Sequence, residues 1–228
     1  MQPQLIIFDC DGVLVDSEII AARVEAAMIS EAGFAITPEE MMERYSGLTS
    51  KDILLRIEAE SQVPFQASLI DRMKETLDRK LASDVRAIDG AAAAVAAVRG
   101  PYCICSNSPL SRIEAMLTRT RMLPLFQGRI FSAREIPSQR TKPAPDVFLH
   151  AAEAMSKDPA ATFVIEDSVH GVIGAKAAGM RVIGFTGASH SYPGHADRLT
   201  EAGAETVINR WVDFAATVAA LAEWSEAV

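Results

Sequence analysis

The sequence predicts an α/β fold in which a doubly wound, Rossmann-like parallel sheet carries an inserted α-helical cap domain. Three observations support this prediction. Short apolar runs recur along the 228 residues, and most lack the alternation of a half-exposed strand, which is typical of parallel strands covered on both faces. Helical patterns separate the later runs, as the strand–helix–strand units of such a sheet require. A long stretch after the first run contains helical patterns only.

The predicted strands and core helices follow one another in chain order. The strands are QLIIFDC (4–10), YCICSN (102–107), RIFSA (129–133), TFVIED (162–167), RVIGF (181–185) and ETVIN (205–209). The helices between them are AAAAVAAV (91–98), SRIEAMLTRT (111–120), PDVFLHAAEAM (145–155) and GVIGAKAAG (171–179). WVDFAATVAALAEW (211–224) predicts a final helix packed on the sheet.

The helical stretch lies between the first strand and the rest of the sheet. It contains segments such as AARVEAAMISEAGF and ASLIDRMKETLDRKLA and no convincing strand. Such an insert is most simply a cap or lid. The sequence therefore predicts a discontinuous core domain of residues 1–16 and 88–228 and a helical cap of residues 17–87. Its hinges are expected near Asp16 and in RAIDG (86–90).

Composition and charge exclude several classes of function. A net charge of −8 and a pI of about 5.1 argue against a nucleic-acid binder or a partner of an anionic membrane surface, both of which favour a basic face. The apolar stretches are too short to span a bilayer, and MQPQ at the N-terminus lacks the features of a signal peptide. The three cysteines form no disulfide framework. We therefore expect a cytoplasmic protein that is a monomer or a small homo-oligomer.

Polar side chains gather where the predicted strands end. In an open α/β sheet, ligands bind beyond the carboxyl ends of the strands. Four loops deliver acids, a hydroxyl, an amide and a lysine to that edge. These residues are Asp9 and Asp11, Ser106 and Asn107, Lys142, and Glu166 and Asp167.

These residue types suit a magnesium ion and a phosphate group. Mg²⁺ prefers oxygen ligands and usually binds through one or two carboxylates plus substrate phosphate, a role that Asp9 and Asp167 can fill from different strands. Lys142 and the Ser106 hydroxyl can bind the phosphoryl oxygens. A carboxylate can also accept the phosphoryl group, while the second acid, Asp11, protonates the leaving oxygen and then deprotonates water.

Other readings of the same residues stay open at this point. A calcium loop is disfavoured, because Val13 and Ile20 occupy positions that would need oxygen ligands. Ser106 and Asn107 could cap the following helix. Further alternatives are a solvated Lys142, a helix N-terminal charge pair at Glu166 and Asp167, and structural or surface roles for His150, His170, His190 and His195.

Four segments together resemble the haloacid dehalogenase-like hydrolases, in the subgroup of β-phosphoglucomutase and small sugar-phosphate phosphatases. They are FDCDGVLVDSE, CSNS, TKPAPD and EDSVHGVIGAKAAGM, in the family's order. The resemblance implies a role for each matching residue. Asp9 would be the nucleophile and a metal ligand, and Asp11 would be the general acid/base that also offers its backbone carbonyl to Mg²⁺. The Ser106 hydroxyl and the Asn107 N–H would bind the phosphate, and Lys142 would neutralise its charge. Asp167 would ligate Mg²⁺, with Glu166 assisting through the metal's water shell.

Within the subgroup, the resemblance favours hydrolysis over phosphosugar isomerisation. Ala21, Ser50 and Pro109 stand where the mutase has a histidine, an arginine and a lysine. Details such as KPAPD and HAAEAM look most like the 6-phosphogluconate phosphatase branch. We therefore expect a Mg²⁺-dependent phosphatase acting on a small phosphorylated metabolite; the alternatives are a hexose-phosphate mutase and a non-catalytic phosphosugar-binding protein. Cap cations that could reach an anionic substrate tail are Arg44, Lys51 and Arg23, for which solvated surface positions are an equal alternative.

Overall fold

A six-stranded, all-parallel sheet forms the centre of the molecule in a computed structural model that describes residues 3–45, 48 and 50–224. The strand order is β3-β2-β1-β4-β5-β6. The strands are β1 (Leu5–Phe8), β2 (Tyr102–Ser106), β3 (Ile130–Ser132), β4 (Thr162–Glu166), β5 (Arg181–Phe185) and β6 (Thr206–Ile208). Each predicted strand is present, and the predicted fold class is confirmed.

Helices cover both faces of the sheet. They are α5 (Ala91–Ala97), α6 (Leu110–Arg119), α7 (Asp146–Ala154), α8 (Val169–Ala177), α9 (His195–Glu201) and α10 (Phe214–Trp224). Ile6 and Phe8 of β1 belong to an apolar cluster with α5, α6 and α10, whereas Leu5 and Ile7 belong to a second cluster with α7, α8 and α9. Because side chains alternate along a strand, β1 is buried on both faces, which explains its unbroken apolar sequence.

The inserted segment is helical throughout its described elements. It contains α1 (Glu18–Glu31), α2 (Pro38–Tyr45), α3 (Ser50–Ser61) and α4 (Ser68–Asp84), and we call these four helices the cap. Ile29, Met41, Ile57 and Met73 belong to a third apolar cluster, formed by cap residues alone. Leu77 and Leu81 of α4 belong instead to the first cluster, so the cap also packs against the core. The domain boundaries at 16/17 and 87/88 stay a prediction.

Two adjacent chain segments connect the cap to the sheet. Val15 pairs with Ala87 in an antiparallel bridge. The Asp16 N–H donates to the Arg86 carbonyl at 2.9 Å, and the Ile88 N–H donates to the Leu14 carbonyl at 3.0 Å. Both connections therefore lie at the carboxyl end of β1, so the cap begins and ends next to the edge where the acidic residues converge.

Helix α9 has no counterpart in the sequence-based prediction. Its sequence, HADRLTE, is short and polar, and it buries only His195 and Leu199. Two buried positions in seven residues are too few to produce a recognisable helical period. Among the described residues, no helix is long and apolar enough to cross a membrane.

Candidate active site

Three neighbouring strand ends form the floor of the site. Strand β1 lies between β2 and β4, and the Asp9 N–H continues the ladder by donating to the Ile165 carbonyl at 3.0 Å. The residues that follow these strands therefore meet at one edge. They line a cavity of about 240 Å³, whose opposite wall is formed by cap residues such as Glu18, Glu25 and Ser50.

Lys142 is the buried cation of this floor. Its Nζ lies 2.6 Å from Asp9 Oδ1, 2.6 Å from Glu166 Oε1 and 2.7 Å from the Cys105 carbonyl oxygen, so its three donors are all used. Although burial opposes it, the charges of Asp9 and Glu166 raise the pKa of Lys142 above its ordinary value. Lys142 is therefore charged, and it is not a solvated surface lysine.

Asp9, Glu166 and Asp167 bring carboxylate oxygens within 4.8 Å of one another. Burial raises the pKa of Asp9 well above its ordinary value; Lys142 opposes this rise, and the charges of Glu166 and Asp167 add to it. The carboxylates thus outnumber the ammonium group. This excess of buried oxygen donors fits a hard divalent cation such as Mg²⁺.

Two glycines keep the acidic cluster compact. Gly12 has a positive φ of 71°, and a Cβ there would collide with the Asp167 carboxylate. A Cβ on Gly171 would collide with the Glu166 carboxylate. Glu166 Oε2 accepts hydrogen bonds from the N–H and the hydroxyl of Ser168 at 3.1 and 3.0 Å. Both carboxylates are therefore held in place by close backbone approach.

Asp11 occupies a different environment from Asp9. Its carboxylate accepts hydrogen bonds from the hydroxyls of Ser17 at 2.7 Å, Ser108 at 2.8 Å and Ser106 at 3.2 Å. It lines the same cavity as Asp9 but takes no part in the Lys142 network. Two carboxylates in separate environments can carry two different roles. The Asp11 side chain is not in the acidic cluster; its predicted metal contact is a backbone carbonyl, which stays a prediction.

The Asn107 side chain positions the lysine loop. Its Oδ1 accepts from the Lys142 N–H at 2.8 Å, and its Nδ2 donates to the Lys142 carbonyl at 3.4 Å. The structure does not support the helix-capping alternative for Ser106, because that hydroxyl accepts from the Ser108 N–H and α6 begins only after Pro109. Ser106 and Asn107 both line the cavity.

The predicted cap cations do not line this cavity. Arg44 forms an exposed ion pair with Glu60, with Nη2 and Oε2 2.6 Å apart. Lys51 is exposed, and Arg23 lines a separate surface groove between α1 and α4. The cationic side chains that the structure places at the cavity, besides Lys142, include Arg112 and Arg134. Arg112 lies in the helix that follows CSNS, and nothing in its local pattern distinguished it from a surface arginine.

His190, for which a structural or surface role was expected, contacts a residue of the acidic cluster. Its Nε2 lies 3.0 Å from Asp167 Oδ2. Although burial opposes it, the hydrogen bond and charge of Asp167 raise the pKa of His190 to about 9. His195 Nε2 lies 2.7 Å from the Asp167 carbonyl oxygen, and burial lowers the pKa of His195. The sequence held no signal for these contacts, because His190 lies within the loop after β5 and His195 begins α9, so neither is placed by a strand end.

Residues 6–185 match the model of the haloacid dehalogenase-like hydrolases. The chain belongs to this family. It is 33% identical over 191 residues to 6-phosphogluconate phosphatase of Escherichia coli K12, covering 83% of this chain and 86% of that protein. Because several curated relatives are phosphatases, the predicted enzyme class, a phosphoric monoester hydrolase, is confirmed.

Two solved structures share the whole architecture. A conserved haloacid dehalogenase-like protein of unknown function from Agrobacterium tumefaciens is 55% identical, with a TM-score of 0.91 over 96% of this chain and 99% of that chain. A haloacid dehalogenase family hydrolase from Deinococcus radiodurans, solved with bound phosphate and sodium, is 29% identical, with a TM-score of 0.81 over 95% of each chain. The predicted family resemblance is therefore confirmed.

Proposed function

We propose that the protein is a Mg²⁺-dependent phosphatase that hydrolyses a small sugar phosphate or sugar-acid phosphate through an aspartyl-phosphate on Asp9. The observation that carries the proposal is the pair of carboxylates, Asp9 and Asp11, in one cavity with different partners. Asp9 contacts the buried ammonium of Lys142, whereas the Asp11 carboxylate accepts hydrogen bonds from three serine hydroxyls. The first arrangement suits a nucleophile, and the second suits a group that exchanges a proton.

In the first step, a carboxylate oxygen of Asp9 forms a bond to phosphorus as the bond from phosphorus to the sugar oxygen breaks. Protonated Asp11 gives its proton to that sugar oxygen, so the sugar leaves as an alcohol. Lys142 holds Asp9 through a 2.6 Å ion pair, which fixes the direction of attack. The Ser106 hydroxyl and the Asn107 N–H bind the phosphoryl oxygens.

In the second step, Asp11 takes a proton from a water molecule whose oxygen attacks phosphorus. The bond between phosphorus and the Asp9 oxygen breaks, and phosphate leaves. Asp9 is again a carboxylate and Asp11 is again protonated, so the two steps return the enzyme to its starting state. The cap wall of the cavity excludes bulk water while the sugar is present.

Mg²⁺ would be held by Asp9 and Asp167 and the Asp11 carbonyl, with Glu166 acting through the metal's water shell. When bound, the ion offsets the charge of the phosphoryl group and of the surrounding carboxylates. Lys142 keeps Asp9 in position, and Ser168 keeps Glu166 in position through its N–H and hydroxyl.

We propose 6-phosphogluconate as the candidate substrate. The identity to 6-phosphogluconate phosphatase and the small cavity support it. The mutase alternative is less well supported, because Ala21 and Ser50 line the cavity at two of the positions that differ from the mutase pattern. A cytoplasmic location and a monomeric or small homo-oligomeric state stay predictions.

The test is phosphate release from a panel of phosphorylated metabolites, each with Mg²⁺ or with EDTA. The panel includes 6-phosphogluconate, hexose and pentose phosphates, phosphoglycolate and β-glucose 1-phosphate. We expect metal-dependent release, with 6-phosphogluconate among the best substrates. Conversion of β-glucose 1-phosphate to glucose 6-phosphate without phosphate release would instead establish a mutase. Binding without turnover of any ester would establish a non-catalytic protein.

A further inference from the structure

We propose that Arg112 selects substrates that carry a carboxylate at the end remote from the phosphate. This inference rests on the proposed phosphatase function and assigns its preference for a sugar acid to one side chain. Arg112 takes the place of Arg44 and Lys51, which lie away from the cavity, as the proposed binding residue for the anionic end of the substrate.

Arg112 lies at the boundary between core and cap. It is in the first turns of α6 and lines the catalytic cavity. Its Nε donates to Asp78 Oδ1 on cap helix α4 at 2.6 Å, and only 17% of its side chain is exposed. Arg112 therefore reaches from the core to the cap wall.

Most of the Arg112 guanidinium has no partner in the described structure. Nε makes its one hydrogen bond, and neither Nη group bonds to another described residue. A guanidinium has five N–H donors in a fork that matches a carboxylate. Its counter-ion, Asp78, is 41% exposed, and a solvent-exposed pair offsets a largely buried charge only weakly. A cation with free paired donors, facing a small-molecule cavity, is suited to a carboxylate ligand.

Two other cationic residues of the cavity, Lys142 and Arg134, have different tasks. The three donors of Lys142 are fully used within the acidic cluster. Arg134 is exposed and donates its Nε to the Asn107 carbonyl at 2.9 Å, so it lies beside the phosphate-binding loop. Arg112 is the cavity arginine that contacts the cap.

A second cap acid near Arg112, Glu25, forms no hydrogen bond with the guanidinium among the described residues. The Arg112 charge acts on Glu25 of α1, a buried acid that accepts a hydrogen bond from the Ser50 hydroxyl at 2.6 Å. Burial raises the pKa of Glu25, which weakens its competition for the guanidinium. Glu25 and Ser50 are also suited to bind the hydroxyl groups of a polyhydroxylated chain. Arg112, Glu25 and Ser50 together therefore suit the carboxylate and hydroxyl groups of a phosphorylated sugar acid.

The experiment compares two substrates that differ only at the remote end. 6-Phosphogluconate carries a carboxylate there, and sorbitol 6-phosphate carries a hydroxymethyl group. In Arg112→Gln, we expect kcat/KM for 6-phosphogluconate to fall about 10- to 100-fold, the range expected for a lost hydrogen bond to a charged group. The ratio of the two kcat/KM values should fall by at least about tenfold.

Arg119→Gln is the matched control. Arg119 lies two turns further along α6 and also donates its Nε to the cap, to the Ser83 carbonyl at 2.6 Å, but it does not line the cavity. We expect the substrate ratio of this variant to equal that of the wild type. Arg112→Lys keeps the charge without the fork, and its ratio should lie between those of wild type and Arg112→Gln. Thermal unfolding of each variant shows whether it is folded.

The outcomes separate this inference from the proposed function. Equal losses on both substrates in folded Arg112→Gln would overturn the inference and assign Arg112 to the core–cap contact. Wild-type kcat/KM values for both substrates in Arg112→Gln would also overturn it. In either case, phosphate release by the wild type would still support the proposed phosphatase. Failure of the wild type to release phosphate from any ester would overturn the proposed function, and the inference with it.

Discussion

Replacing Lys142 by methionine tests the electrostatic logic of the site most directly. Methionine keeps an unbranched apolar stem and removes the ammonium group. The change leaves Asp9 and Glu166 without the cation that lies 2.6 Å from each of them. Neither carboxylate side chain is more than 9% exposed, so solvent offsets the loss of Lys142 only weakly.

The expected loss of stability follows from that burial. Removing one partner of a buried ion pair costs about 3–5 kcal/mol, because the remaining charge is uncompensated. The two pairs share one ammonium group and are not additive, so we expect a decrease of about 3 kcal/mol in the free energy of unfolding without metal. The urea midpoint should fall by about 1 M. Mg²⁺ should narrow the difference, since it supplies positive charge to the same carboxylates.

The assay combines urea unfolding in EDTA and in Mg²⁺ with steady-state phosphate release. Turnover should fall about 10²- to 10³-fold, as when one preorganised charge is removed from an active site. Lys51→Met is the matched control, because Lys51 is exposed and outside the cavity, and we expect it to resemble the wild type in both measurements.

Two results would refute this reasoning. Lys142→Met with the wild-type urea midpoint in EDTA would show that the ammonium does not offset the buried carboxylates. Wild-type turnover would show that it does not act on the phosphoryl group. A loss of turnover in Lys51→Met would restore Lys51 as a substrate contact.

Two further predictions concern the nucleophile and the cap. Asp9→Asn should lower phosphate release by at least about 10³-fold while the protein stays folded. The amide oxygen can still accept a hydrogen bond from Lys142, but it cannot form an acyl phosphate. Full turnover would exclude the covalent mechanism. In the cap, burial raises the pKa of Glu25 above its unfolded value near 4.5, so ionisation of Glu25 lowers wild-type stability as pH rises from that value through the folded pKa. The stability of Glu25→Gln relative to wild type should therefore increase between pH 5 and pH 8 in urea unfolding. The Ser50 hydrogen bond can persist to the glutamine oxygen, and the exposed Glu31→Gln serves as the control; a pH-independent difference would exclude the effect.

The core fold could be predicted because its signals are local. Each strand is an apolar run short enough to read directly, and the buried clusters of α5 to α8 and α10 follow the helical period. The cap was visible as a stretch without strands. Helix α9 was missed, since its polar sequence contributes only His195 and Leu199 to the core.

The part of the candidate site that could be predicted consists of the residues at the strand ends. Asp9, Ser106 and Glu166 lie at the carboxyl ends of adjacent parallel strands, and this adjacency brings them together independently of the loop conformations. Arg112 and His190 have no such marker. Their roles arise from contacts with Asp78 and Asp167, which lie far away along the chain.

The amino-acid sequence by itself determined the sheet, the insertion of helices after its first strand, and the residue types that the phosphoryl chemistry needs. Those features depend on periodicity and on order along the chain, which are written in short segments. Only the tertiary structure decided that Asn107 holds the Lys142 loop, that Asp9 and Asp11 have separate environments, and that Arg112 rather than Arg44 lies at the cavity. These outcomes depend on how the cap and the loops pack together, and that packing is a property of distant residues meeting in space.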